Sequence, residues 1–130
     1  MKKFLLLLLS LTVFQFSYKK DDAAQSNSSN DVKYEWTSET SSKFSAAWTE
    51  NAVSPIMEEF TGKSWSKSFK SDAGQNLLNF SISSLSVVEN PNTTVKGTIK
   101  IYVGGKEVKT QAVTLNSQIF YVMLTYYKPN

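Results

Sequence analysis

Cysteine, histidine and arginine are absent from all 130 residues. Without Cys there is no disulfide, no thiolate nucleophile and no sulfur ligand, so an apolar core must hold any exported domain together alone. Without His the chain lacks the side chain that most often moves protons near neutral pH. The two absences together remove nearly every zinc, copper and iron site type. Without Arg there is no planar, two-pronged clamp for phosphate or carboxylate. These absences predict no catalytic residues, no metal and no cofactor: a protein that is not an enzyme.

Clustered charge is missing as well. The formal net charge is +3, but Lys2 and Lys3 supply two of the 14 lysines. From Tyr18 onward 12 lysines face 11 acidic residues, a net charge of +1. A nucleic-acid binder presents a basic face. Here Lys and Glu are spread among polar residues, so no nucleic-acid partner is expected.

What the chain does have begins at its start. Met1-Lys2-Lys3 precedes a largely apolar run from Phe4 to Phe16, closed by Ser17. A charged start, a short apolar stretch and a small residue make a secretory signal over residues 1–17. The run is short for a bilayer span, so cleavage near Ser17 or Ala24 is expected over retention, and membrane contact only through this segment if it is kept. Residues 18–30 carry no aliphatic side chain larger than Ala and read as a flexible polar tether.

Ser17-Tyr18-Lys19-Lys20-Asp21-Asp22 resembles the export signal of Bacteroidota surface lipoproteins, in which a lipidated Cys is followed by Lys and then acidic residues. Tyr18 stands where that Cys would be, and diacylation needs the thiol, so residue 18 cannot carry lipid. The resemblance implies outer-membrane lipoprotein relatives. For this chain it implies an extracytoplasmic place: periplasmic, secreted or at the cell surface.

From Asp31 the hydropathy period becomes two, the mark of half-buried strands. Val32, Tyr34 and Trp36 alternate with Lys33, Glu35 and Thr37; Phe44, Ala46 and Trp48 repeat the pattern. Ile56 to Phe60 follows Pro55, and Trp65 to Phe69 makes another short strand. Leu78, Phe80 and Ile82 continue the set, with Leu85 and Val87 extending it past a bend at Ser83-Ser84. Asn90-Pro91-Asn92 is a turn. Val95, Gly97, Ile99, Ile101 and Val103 face in, and Gly104-Gly105 reads as a two-residue hairpin before Lys106 to Val113. A last strand runs from Ile119 to Tyr127. The expectation for residues 31–130 is an all-β, antiparallel, immunoglobulin-like β-sandwich of seven to eight strands, following the signal helix and tether. A small closed barrel is the alternative.

Three segments, Val32-x-Tyr34-Glu35, Trp65-Ser66-Lys67-Ser68-Phe69 and Ile101-x-Val103-Gly104-Gly105-Lys106-x-Val108, resemble the soluble domain of mycobacterial MmpS membrane proteins over roughly residues 32–127. Ser64 replaces a Pro that often precedes the Trp, Gly104 replaces a common Asp, and the cysteine pair is missing. The resemblance implies a β-sandwich that assists a partner transporter.

Several short motifs match catalytic patterns in letters only. Gly62-Lys63-Ser64 ends like a phosphate-binding loop, but Met57 occupies the place of its first Gly, so a turn between strands is expected. Ser64-x-x-Lys67 and Lys109-Thr110-Gln111 echo serine β-lactam enzymes, yet three residues along a strand place Ser and Lys on opposite faces. Glu58 and Glu59 point apart for the same reason and cannot act as a pair.

The aromatic residues and the last strand carry the functional expectation. Trp36 and Trp48 sit on apolar faces and are expected in the core. Tyr102, Tyr126 and Tyr127 lie out of phase or near the chain end and are the candidate partner-binding residues. Between residues 119 and 124 both strand faces are apolar, so either Ile119/Tyr121/Met123 or Phe120/Val122/Leu124 stays outside the core or the strand is wholly buried. The reading is a non-catalytic cell-envelope module. It binds a protein partner or forms a homodimer, with an accessory role beside a transporter as MmpS proteins have. A small carbohydrate-binding module, with glycan as ligand, is the alternative.

Overall fold

The computed structural model describes residues 30–51 and 54–129. The signal segment 1–17, Tyr18 and the tether as far as residue 29 lie outside the described residues. From Asp31 the chain forms β1 (Asp31–Trp48), β2 (Ile56–Lys70), β3 (Leu77–Ser84), a short helix α1 (Leu85–Glu89), β4 (Val95–Val103), β5 (Lys106–Leu115) and β6 (Tyr121–Tyr127). The fold is all-β and antiparallel, as the alternation predicts.

One bent strand organises it. The first half of β1 pairs with β4 along Val32↔Val103 to Ser38↔Gly97. The second half pairs with β3 along Phe44↔Ser84 to Trp48↔Phe80. Hairpin partner β2 follows β1 on its other edge through both halves. Between Thr37↔Ser64 and Ser42↔Gly62, β1 runs through residues 38–41 while β2 spends only Lys63. Such excess residues bend a strand and increase its twist. Gly62 sits opposite the bend at φ 150°, a conformation that side chains rarely adopt. Beyond the bend the sheet forks into two arms, β4–β5 and β3–β6, which curl toward each other into a nearly closed barrel.

The strands number six among the described residues, where the sequence predicts seven or eight. The pattern breaks at residues 38–42 and 61–64 look like turns, but β1 and β2 continue through both. Gly62-Lys63-Ser64 therefore lies inside a strand. In place of two separate immunoglobulin-like sheets, one sheet passes from arm to arm through β1. Leu85 and Val87 belong to α1 and not to an extended β3. Ser84 ends the strand because its hydroxyl accepts the Val87 N–H at 3.3 Å, an N-cap bond that starts a helical turn. Ile119 and Phe120 precede β6, held in a turn where Asn116 Oδ1 accepts the N–H groups of Gln118 and Ile119 at 2.9 Å each. The Gly104-Gly105 hairpin is as predicted: φ is 59° and 79°, the two positive angles of a primed turn.

The core lies between the arms. Val32, Tyr34, Trp36, Phe44, Ala46 and Trp48 from β1 meet Leu78, Phe80 and Ile82 from β3 and Val95, Ile99 and Ile101 from β4. Tyr34 stacks on Phe80 at 5.0 Å, joining the two arms, and Trp36 meets Phe44 edge-on at 5.4 Å across the bend. From β2, Trp65 stacks on Phe80 at 5.4 Å and packs against Trp48 at 5.0 Å. Contacts of this kind are each worth about 0.5–1.5 kcal/mol beyond area burial. Asn30, Ser71, Asn76 and Lys128 are tied together nearby. Ser71 N–H donates to Asn30 O at 2.8 Å, Lys128 N–H to Asn76 O at 2.7 Å, and the Lys128 ammonium to Ser71 Oγ at 2.7 Å.

Three outcomes follow from this packing. A Cβ on Gly97 would collide with the Trp36 indole and come within 2.6 Å of the Thr37 carbonyl oxygen, whereas Gly74 has nothing within 4 Å. Gly97→Ala is expected to cost about 1–3 kcal/mol in urea unfolding and Gly74→Ala under about 0.5 kcal/mol. Equal effects would show that the indole does not lie on Gly97. The buried Tyr34 hydroxyl donates to Thr49 O at 3.1 Å, and burial holds its pKa well above the ordinary value of 10.0. A raised folded-state pKa gives stability that is complete below pH ~10 and is lost as pH rises above it. Alkaline unfolding of the parent is therefore expected to be steeper than that of Tyr34→Phe; identical pH profiles would rule the linkage out. Finally, Ser71 and Lys128 are only 5% and 9% exposed. Ser71→Ala strips a hydrogen-bond partner from a buried ammonium and is expected to cost about 1–3 kcal/mol. Lys128→Met removes that ammonium, so the same serine substitution in its background is expected to cost much less. An additive double-mutant cycle would exclude the coupling.

Candidate functional site

The two arms have different outer faces. On the β4–β5 arm the outward residues are charged and engaged with one another. Lys33 Nζ lies 3.1 Å from Glu35 Oε2 and 4.3 Å from the centre of the Tyr102 ring. Tyr102 OH donates to Glu35 Oε1 at 3.4 Å. Next to them Lys100 meets Glu107 at 3.4 Å; this hydrogen bond and the charge behind it raise the lysine's pKa. These are solvated strand-to-strand contacts of modest worth.

The outward residues of β3 and β6 themselves are uncharged. No charged residue occurs between Asp72 and Glu89 or between Lys109 and Lys128, and these two stretches meet in space as the β3–β6 ladder. Register fixes the surface. Met57, Ala47, Ser81 and Met123 form one outward row across four strands, and Glu59, Ser45, Ser83 and Tyr121 the next. Leu77 and Tyr127 pair at the far end. The two middle strands carry Ala and Ser, so they make a low floor between Met57 and Met123. A cleft of about 390 Å³ lies on this floor beside Met123, with Ala47, Ser81 and Pro55 among its lining. Another, of about 430 Å³, adjoins it beside Leu77, Asn79 and Tyr127. Met57, Met123, Tyr121 and Tyr127 are 71%, 55%, 52% and 70% exposed. Ile119 and Phe120 extend the apolar surface into the β5–β6 connection.

The last strand thus resolves into two sets. Val122 and Leu124 point into the core, while Ile119, Tyr121 and Met123 stay outside. Phe120 departs from its expected set: it lies in the turn before β6 and is exposed. The three candidate tyrosines are not brought together. Tyr102 belongs to the charged network on the other arm. Tyr126 pairs with Leu78 and packs half-buried against the core. Tyr127 pairs with Leu77 and is the one of the three on the apolar face. Met57, Leu77 and the Ala/Ser floor escape the sequence reading. The signal that points to them is the pair of charge-free stretches, because alternation alone does not say which strands are neighbours.

The tryptophans sit inside, as their faces predict. Trp36 and Trp48 are buried, and half-buried Trp65 donates through its indole N–H to Glu58 Oε2 at 3.1 Å. The Trp36 indole nitrogen is buried with no hydrogen-bond partner among the described residues. Ser64 and Lys67 pair with Thr37 and Tyr34, a spacing that puts them on opposite faces of β2. No cluster of three or more Asp, Glu, His or Cys occurs among the described residues, and no described helix is long and apolar enough to cross a membrane. No protein-family model, curated protein or solved structure matches the chain.

Proposed function

We propose that this chain is a non-catalytic binding or accessory module of the cell envelope, and that its contact surface is the uncharged outer face of the β3–β6 arm. The observation that carries the reading is the charge segregation. All charged side chains of the described domain lie outside two stretches, and those stretches build one sheet face with long apolar side chains left in water. An exposed apolar patch on a small domain is a contact surface by default. The charged start and apolar run of residues 1–17 support export. The accessory role beside a transporter, implied by the MmpS resemblance, is compatible with a face that engages a protein.

A carbohydrate-binding module is the second reading, and Tyr121 and Tyr127 favour it because both project from the same side of β6. They are six residues apart, roughly 20 Å along a strand, with Met123 between them. The described tryptophans, the stronger stacking platforms, are turned inward. A protein contact therefore fits the face better than a glycan.

Affinity capture from envelope extracts tests the reading, with three baits compared: the parent chain, Tyr121→Ser/Met123→Ser, and Tyr102→Phe. Binding is expected to drop at least tenfold for the double variant, at unchanged thermal stability, and to be retained by Tyr102→Phe. Retention by the double variant would move the contact surface elsewhere. Binding to a glycan array that is lost with Tyr127→Ala would support the carbohydrate reading instead.

A further inference from the structure

We propose that the cleft beside Leu77, Asn79 and Tyr127 is a binding site for a neutral, hydroxyl-rich ligand the size of one or two sugar rings. It lies at one end of the sheet, where the β1–β2 and β2–β3 connections meet the end of β6. Its volume of about 430 Å³ falls within the range of small-molecule sites. Two of its lining residues hold buried polar atoms that the fold leaves unused. Gln75 is 6% exposed, and its Oε1 has no hydrogen-bond partner among the described residues. The Thr49 hydroxyl oxygen is buried too and has none either. A buried polar atom without a partner costs stability, so most such atoms in folded proteins are satisfied by the chain, by water or by a ligand. Two of them on one cleft mark it as a place that a donor and acceptor from outside the fold would complete.

The surrounding bonds hold these groups still. Thr49 N–H donates to Asn79 O at 3.2 Å, and Thr49 O accepts the Tyr34 hydroxyl at 3.1 Å. Gln75 N–H donates to Asp72 O at 3.0 Å and its side-chain nitrogen to Leu77 O at 3.3 Å, so the carboxamide is fixed with its oxygen as the unused end. Asn79 Oδ1 accepts the Thr125 hydroxyl at 2.9 Å, which leaves its side-chain nitrogen as a donor. An acceptor, a hydroxyl that gives and takes, and an amide donor together suit hydroxyl groups, which both donate and accept. Tyr127, 70% exposed and paired with Leu77, supplies a flat ring for the C–H face of a sugar. Among the described residues no charged side chain lines the cleft. Glu50 and Lys128, next to Thr49 and Tyr127 in sequence, are engaged elsewhere: Glu50 Oε1 accepts the Trp48 indole N–H at 3.1 Å, and the Lys128 ammonium donates to Ser71 Oγ at 2.7 Å. A charged ligand would therefore lose water with nothing to compensate it. The site is separate from the Met57–Met123 row and does not depend on what that row contacts.

Saturation-transfer NMR titrations on the full chain test the site. The probes are glucose, galactose, mannose, their neutral disaccharides, glucuronate and N-acetyl trialanine amide. At least one neutral sugar is expected to bind, and glucuronate to bind more weakly than glucose. Thr49→Val exchanges the unused hydroxyl for a methyl group of the same shape. It is expected to weaken sugar binding about tenfold, the effect of one lost hydrogen bond, with thermal stability unchanged or raised. Tyr127→Ala, at an exposed position, is expected to weaken binding as much in a folded chain. Tyr121→Ser/Met123→Ser is expected to leave it intact. No binding of any neutral sugar, or binding that survives Thr49→Val or Tyr127→Ala, overturns the proposal. So does a fall in thermal stability with Thr49→Val, since the hydroxyl then already has a partner in the fold. Binding of the tripeptide in place of every sugar gives the cleft to a peptide main chain and overturns the sugar assignment. If Tyr121→Ser/Met123→Ser abolishes protein capture while sugar binding persists, both surfaces stand. A sugar that needs Tyr121 belongs to the broad face, and the cleft site falls.

Discussion

The bend in β1 is the constraint on which the rest of the molecule depends. A flat strand can pair with one neighbour on each edge. By spending residues 38–41 against the single Lys63, β1 turns and offers one edge to two different strands in succession, β4 and then β3. The two arms exist because of that fork. So does the core, since Tyr34 and Trp36 before the bend and Phe44 and Trp48 after it point into the same interior. Gly97 belongs to the same constraint. It pairs with Ser38 at the start of the bend and leaves room for the Trp36 ring where the arms part. With no disulfide to hold the fork closed, aromatic contacts across it carry that task, and Tyr34 on Phe80 is the most direct of them.

How much of this was legible in the sequence follows from what each signal encodes. Alternation encodes facing, and it placed Val32, Tyr34, Trp36, Phe44, Trp48, Phe80, Ile82, Ile99 and Ile101 on the inner side correctly. Paired glycines encode positive φ, and the Gly104-Gly105 turn was readable for that reason. Continuity is not encoded locally. Ser38-Glu39-Thr40-Ser41 resembles a loop because its side chains are polar, yet pairing with β2 at Thr37↔Ser64 resumes at Ser42↔Gly62 and the strand runs on through it. The same holds for Gly62-Lys63-Ser64. Local chemistry also outcompeted periodicity at Ser84, where a hydroxyl in the N-cap position converted an apparent strand extension into α1.

The candidate surface was half legible. Doubly apolar β6 left two readings open, one side uncovered or the strand wholly buried, and only the structure decides between them: Val122 and Leu124 point into the core, while Tyr121 and Met123 face out. Which other residues join them depends on strand order, and that is a long-range property. Met57 reaches the same row as Met123 only because β2, β1, β3 and β6 lie side by side. Tyr102 was misleading for a related reason. Out of phase with its strand's core set, it looked free, but its neighbours across the ladder, Lys33 and Glu35, engage both its ring and its hydroxyl.

Charge distribution links the fork to the function. Because β1 divides the sheet, each arm has an outer face of its own, and the two can differ in chemistry without disturbing the shared core. The β4–β5 arm carries charge on its outer face, with Lys33–Glu35 along β1 and Lys100–Glu107 between β4 and β5. The β3–β6 arm does the reverse, using small residues on its middle strands and long apolar ones at its margins. Stability does not require that choice. Polar side chains at positions 121, 123 and 127 would cost the core nothing, since the inward positions Val122 and Leu124 already anchor β6. Apolar side chains there leave uncharged surface in water, which is the surface proposed for contact. The fork therefore lets one sheet carry a charged outer face on one arm and an uncharged one on the other, and the uncharged face is the contact surface proposed above.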